Sequence, residues 1–256
     1  MGSAGVGKLV LGTRVHTAGG AALPDLAVLD HWCASVPAAV DTVAVAVDPV
    51  LYPLEQQRLS PLDPRVEVIQ VSPWFGYSPA LNVLLAFAAR RGASHLLLQS
   101  VELELEAGDL ARLCAHATAD TLVVGARLSE RHGGAPGTKA LDGFTSPWNT
   151  LALWSIEKLC LTGFLSISDE LLDEVPGGME EVATISLLQH LRPEGARAKL
   201  VALDGIRWDT RWDDSLRTSW HETKMASKVE RAELQLARLG VPRGTVDVLP
   251  PGEGAP

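Results

Sequence analysis

Short apolar runs alternate with helix-length amphipathic segments over the first half of the chain. Leu9–Val15 (LVLGTRV), Thr42–Val47 (TVAVAV), Val66–Val71 (VEVIQV), His95–Gln99 (HLLLQ) and Thr121–Ala126 (TLVVGA) read as strands. They are short, mostly aliphatic and bounded by turn residues. Between them Leu26–Ser35, Tyr52–Leu59, Ser78–Arg91 and Ala107–Ala117 read as helices, with Ser78 suited to an N-cap and Pro79 to the first helical position. Strands that are apolar on both faces and joined by helical crossovers predict a mostly parallel α/β sheet covered on both sides. Ligands of such sheets bind beyond the carboxyl ends of the strands. That rule directs attention to Thr13–Gly20, Asp48, Ser72–Tyr77 and Ser100–Glu104.

The pattern changes after Arg127. Ser129–Ser146 carries Gly133, Gly134, Gly137 and Gly143 and reads as a long functional loop. Thr150–Leu161 reads as a buried helix stopped by Gly163. An acidic stretch, Asp169–Glu174, precedes a helix from Met179 to Leu191. Lys199–Leu203 is a strand, Asp213–Leu239 a long polar helix closed by Gly240 and Pro242, and Val246–Pro256 a frayed tail.

Composition narrows the class. The 256 residues are 46% apolar and 21% charged, enough for a full core and far from a disordered composition. The 22 Lys+Arg against 31 Asp+Glu give a net charge of −9, which argues against nucleic-acid binding. Cys33, Cys114 and Cys160 form no CxxC pair, so a thiolate metal site is not expected and a reducing, cytoplasmic setting is. Met1–Lys8 has no apolar targeting core, and no run reaches the ~18 apolar residues of a membrane span. The oligomeric state, including a homo-oligomer, stays open.

Two motifs mislead. Gly2–Lys8 fits the GxxxxGK phosphate-loop spacing, but Leu9 replaces the metal-binding hydroxyl and no strand precedes it. Lys224-Met225-Ala226-Ser227-Lys228 approximates a KMSKS loop with its Ser displaced and no HIGH partner. It reads as a solvated basic helix face.

Another set of residues holds together in order. Gly76-Tyr77-Ser78-Pro79-Ala80-Leu81-Asn82 opens a helix, and the following strand runs into Ser100-Val101-Glu102. Leu105–Leu110 opens the next helix, Gly163-Phe164 forms a small turn, and Gly178-Met179-Glu180-Glu181 precedes another helix. From about Lys8 to Leu191 this series resembles the family-2-type glycosyltransferases of the GT-A fold. In that family a Gly-x-a-x-A-R-N segment, an Asp-x-Asp motif, a GGF turn and a Gly-x-Glu-Asp motif follow one another. Ser100 departs from the first carboxylate of Asp-x-Asp, and Leu81 from the usual Arg.

The resemblance implies a transferase that moves a sugar, with inversion, from a nucleotide-diphospho-sugar to an unknown glycan or small-molecule acceptor. Residues 8–127 would form the donor half, 128–242 the acceptor half, and 243–256 a flexible tail. Asp48, Gly76, Asn82 and Ser100 would bind the donor. Glu102, completed by His221, would hold a divalent ion, Mn or Mg, whose hard oxygen ligands neutralise the departing diphosphate. Glu181, with Glu180 beside it, would be the general base. Trp148, Asn149, Trp208 and Trp212 would meet the acceptor, since indole faces suit sugar C–H surfaces. Two other readings are a degenerate GT-A protein that binds without turnover and a sugar-phosphate nucleotidyltransferase. The latter wants a richer Gly/Lys/Arg loop than Thr13–Gly20 provides.

Overall fold

The computed structural model describes residues 6–17, 26–59, 61, 63–129, 131–169, 179–208 and 225–252, apart from the side chains of Arg207 and Trp208. The alternating first half builds β1 (Leu9–Val15), α1 (Leu26–Ser35), β2 (Thr42–Val47), α2 (Tyr52–Leu59), β3 (Val66–Gln70), α3 (Ser78–Arg90), β4 (His95–Gln99), α4 (Ala107–Ala115) and β6 (Thr121–Ala126). A short β5 (Leu103–Glu104) lies between β4 and α4 and pairs antiparallel with β10 (Arg207–Trp208). The second half adds β7 (Gly137–Ala140), β8 (Leu151–Ser155), the helical turn α5 (Ile156–Leu159), α6 (Glu180–Leu191), β9 (Arg197–Val201), α7 (Lys228–Leu239) and β11 (Thr245–Val248).

One sheet runs through both halves in the order β3-β2-β1-β4-β8-β6-β9-β11-β7. All neighbours are parallel except β8, antiparallel to β4 and β6, and β7, antiparallel to β11. Helices α3, α5, α6 and α7 cover one face through a core that includes Leu84, Leu96, Trp154, Leu188 and Leu236. The other face is covered by α1, α2 and α4 around Trp32, Leu59, Leu97, Leu113 and Leu153. Strand order reverses between β1 and β4, so a crevice opens at their carboxyl ends. Because β8 runs the other way, its entry residues Asn149 and Thr150 reach the same edge, where the Thr150 carbonyl accepts from the Ser100 N–H at 2.9 Å.

Three expectations are corrected. Thr150–Leu161 is not a helix: Leu151–Ser155 is central strand β8, and only Ile156–Leu159 is helical. Buried on both faces, LALWS is a continuous apolar run, which periodicity cannot distinguish from a buried helix. Ser129–Ser146 is not all loop, since Gly137–Ala140 forms edge strand β7. Nor is the segment from Val246 a frayed tail: Val246 and Val248 are 1% and 2% exposed within β11.

Truncation after Gly244 should therefore cost about 3–6 kcal/mol, from about 1.5–3 kcal/mol for each buried valine. Truncation after Gly252 should leave the urea-unfolding midpoint almost unchanged. Equal midpoints for the two truncations would mean that β11 adds nothing to the sheet.

Candidate active site

The carboxyl edge of the sheet carries three adjoining hollows. The first, about 130 Å³, lies at the β1/β4 switch point and is lined by Gly12–Arg14, Leu81, Leu84, Leu98–Ser100, Asn149 and Thr150. A second, about 100 Å³, shares Arg14, Asn149 and Thr150 with it and adds Tyr77, Trp148, Glu180, Glu181 and Lys228. The third, about 450 Å³, lies over the ends of β1, β2 and β3 between His16, Asp48, Val50, Trp74, Phe75 and Tyr77. Tyr77 walls both the second and the third, and the Arg14 guanidinium carbon sits 5.2 Å from the centre of its ring.

Glu180 and Glu181 open α6 and are only 3% and 8% exposed. Glu181 Oε1 accepts the Asn149 main-chain N–H at 2.8 Å, while Glu180 Oε1 accepts from Asn149 Nδ2 at 3.2 Å and stands 3.9 Å from an Arg14 nitrogen. Burial, then the neighbouring Glu180 charge, pushes the Glu181 carboxyl well above the usual carboxylate range, against the hydrogen bond from Asn149 and the charge of Lys228. A carboxyl so perturbed inside a cleft has the properties of a proton-transfer group. The acceptor-side pair expected from sequence is thus brought together with Asn149.

Trp148 is 4% exposed, with Nε1 donating to the Gly143 carbonyl at 2.8 Å. The His132 ring stacks on its indole at 3.9 Å, and Lys228 Nζ stands 3.2 Å from its centroid. Both faces of its ring are thus occupied, while the residue lines the second hollow. His132 Nδ1 accepts from the Leu128 N–H and Nε2 donates to the Ser146 carbonyl, which defines a neutral tautomer. Burial holds its pKa down to about 4. Lys228 is a correction, because the end of the KMASK segment lines the cleft beside the two glutamates.

The expected donor residues do structural work. Asp48 Oδ2 accepts from both the main-chain N–H and the hydroxyl of Thr17, each at 2.6 Å. Its Oδ1 accepts from the N–H groups of Val50 and Leu51 at 2.8 and 2.9 Å. Asp48 therefore ties the β1 exit to the start of α2. Burial alone would raise its pKa, but these bonds, those of Thr17 foremost, hold it below the usual value. Gly76, at φ +57°, leaves room for Asp169: a Cβ there would stand 2.6 Å from the Asp169 carboxyl. Asp169 Oδ2 accepts from the N–H groups of Tyr77 and Ser78 at 2.8 and 2.5 Å. The cap of α3 is therefore Asp169, from 91 residues away, and Ser78 is a helical residue. Asn82 exchanges two 2.8 Å hydrogen bonds with the main chain of Phe164 and so fixes the Gly163-Phe164 turn.

Ser100 Oγ donates to Glu102 Oε2 at 3.4 Å, beyond the end of β4. Glu104 faces His31 on the surface instead, at 3.1 Å. Among the described residues no three His, Cys, Asp or Glu side chains converge as a ligand set. One carboxylate and a hydroxyl suit a magnesium- or manganese-like ion that draws its other oxygens from water and phosphate. His221 and Trp212 lie outside the described residues, as does the Trp208 side chain. Sequence reasoning gave no site role to Arg14, Trp74, Asp169 or Lys228. Only Arg14, a cation in an otherwise apolar strand, and Trp74, at a carboxyl end, carried any signal.

No protein-family model and no curated sequence matches the chain. Among solved structures it is similar to glucosyl-3-phosphoglycerate synthase from Mycobacterium tuberculosis, in complex with Mn2+, UDP and phosphoglyceric acid. The TM-score is 0.53 and the identity 16%, over 94% of this chain and 87% of that one. A mycobacterial protein scores 0.52 at 14% identity, over 94% and 84%. The 4-diphosphocytidyl-2C-methyl-D-erythritol synthase of Anaerococcus prevotii scores 0.50 at 13%, over 84% and 96%. At such identities the likeness is one of fold: the chain has the GT-A, nucleotide-diphospho-sugar transferase fold.

Asp48→Asn should lower stability by about 1–3 kcal/mol at neutral pH, because buried donors lose a charged acceptor. A folded pKa held below the unfolded one stabilises above the unfolded value, about 3.9, and that stability is lost as pH falls through the folded pKa. Wild type and variant should therefore converge in acid denaturation scans below that range. A gap that persisted at the acid end would locate the effect in packing.

Proposed function

We propose that the protein transfers a sugar from a nucleotide-diphospho-sugar to an acceptor hydroxyl. The observation that carries this reading is the buried Glu180–Glu181 pair. It faces Arg14 across the switch-point crevice, next to an aromatic-walled hollow.

In this reading the nucleobase lies in the hollow of about 450 Å³, against the Trp74 ring, which His16 stacks at 5.0 Å. Asp48, with both oxygens engaged, shapes the floor and does not read the base. The diphosphate then extends toward Ser100 and Glu102, with Arg14 as the nearest cation on the β1 side. A divalent ion on Glu102 would supply Lewis-acid neutralisation of the leaving diphosphate.

Glu181 takes the proton from the acceptor hydroxyl. The acceptor oxygen keeps the electron pair and forms the new bond to the sugar carbon, as the bond from that carbon to the diphosphate oxygen breaks. Attack opposite the leaving group inverts the configuration. Burial of the pair excludes water that would otherwise hydrolyse the donor. Binding without turnover is the competing reading, favoured by Ser100 at the expected position of a carboxylate.

Thermal shift against nucleoside diphosphates and nucleotide-sugars, with and without manganese, tests donor binding. Wild type should be stabilised, Trp74→Ala should lose most of the shift, and Glu102→Ala should lose its manganese-dependent part. Absence of any shift in wild type across the panel would refute the donor assignment.

Glu181→Gln should lower turnover about a hundredfold while donor binding survives. Wild-type activity should rise with pH through the elevated Glu181 pKa, since the base acts ionised. A folded pKa above the unfolded value, about 4.3, gives stability that is present below 4.3 and lost as pH rises. The variant should therefore gain stability relative to wild type between pH 4 and pH 8. Turnover within a few-fold of wild type would move the base to another group.

A further inference from the structure

Asn149 meets both buried carboxylates through different donors. Its main-chain N–H binds Glu181 Oε1 at 2.8 Å, and its side-chain Nδ2 binds Glu180 Oε1 at 3.2 Å. The orientation of the amide follows from chemistry. Trp154 Nε1, which only donates, reaches Asn149 Oδ1 at 2.9 Å, so Nδ2 has to face Glu180. Trp154 is itself fully buried in β8, and Asn149 is 6% exposed.

Two adjacent buried carboxylates cannot both ionise freely, and such a pair titrates in coupled steps. The other charged and titratable groups come from every side. Arg14 projects from β1, Tyr77 stands before α3, Asp169 approaches Glu180, and Lys228 and Arg231 come from α7. Glu180 has Arg14 and the Asn149 amide, whereas Glu181 takes a main-chain donor that no substitution at residue 149 except proline removes.

We infer that Asn149 is a positioning residue that divides the labour of the pair. Its amide holds the Glu180 carboxyl toward Arg14 and leaves Glu181 to exchange the acceptor proton. The inference rests on the reading of this pair as the acceptor-side carboxylates. It adds what decides between them.

The test is a carbon-13 titration of the side-chain carboxyls in glutamate-labelled protein, with Glu180→Gln and Glu181→Gln to assign the two signals. Wild type should show the pair titrating in two separate steps. Loss of a hydrogen bond to a charged group corresponds to about one to two pH units. In Asn149→Ala the separation of the two steps should shrink by that much. Asn149→Ser, which restores a hydroxyl donor, should recover part of the separation. Trp154→Phe, which removes the indole N–H that orients the amide together with part of the buried ring, should move the same steps less, and it serves if Asn149→Ala does not fold and the variant itself stays folded. The titration needs no turnover. A collapsed separation in the variants upholds the positioning role even where no acceptor is found. Unchanged steps overturn it, whatever an activity assay reads.

Discussion

Buried charge at the switch point is the constraint on which the rest of the site depends. Carboxylates out of water are costly unless hydrogen-bonded and matched by opposite charge. Glu180 and Glu181 meet that demand with donors and cations drawn from elements far apart in sequence: Arg14 of β1, Asn149 at the entry of β8, and Lys228 and Arg231 of α7. Each must arrive at one edge of one sheet. The reversed direction of β8 follows the same logic, because only an antiparallel strand between β4 and β6 presents its first residues where its neighbours end.

A second long-range link holds the wall of the cleft. Asp169 caps α3 through Tyr77 and Ser78, and Asn82, one turn further on, grips the main chain of Phe164. The turn that carries Asp169 is thereby stitched to α3 at two points. Gly76 is needed because a side chain there would collide with the capping carboxylate, and Gly163, at φ +65°, because one would meet Asn82 Oδ1 at 2.8 Å. These glycines serve contacts within the protein. Tyr77, fixed by this clasp, separates the aromatic hollow from the acidic one and stands beneath Arg14.

The elements of the first half were legible because each strand is a short aliphatic run and each helix has its own breakers, so local pattern and tertiary position agree. They part company at Leu151–Ser155, where burial on both faces erases periodicity, and at Thr245–Val248, where β9 and β7 rescue a short run that looks like an end. The site was legible only where a motif spacing mirrored geometry, as for Glu180 and Glu181. Asp48, Gly76 and Asn82 stood out as expected donor contacts, and the contacts they make in the fold are internal: Asp48 with Thr17, Val50 and Leu51, Gly76 beside Asp169, and Asn82 with Phe164. Lys228 was hidden in a polar helix pattern, because no periodicity reports which cation of an amphipathic helix turns toward a cleft.

The position of the pair at a helix start adds a final balance. The first-turn N–H groups and the dipole of α6 favour ionised carboxylates, each by about 0.3–1 kcal/mol and more when partly buried. Burial and mutual repulsion oppose ionisation, and for Glu181 they prevail. Had both residues lain mid-helix, neither would find an N–H donor of its own helix. Had both been exposed, both would ionise at ordinary acidity and hold no proton near neutrality. At the buried N-terminus of α6 the neighbours set the balance, and Asn149, which meets both carboxyls, is the one the proposed division of roles turns on. Under the proposed reaction, a base that must be ionised at attack and must still accept a proton during it needs its burial and its donors set against each other in this way.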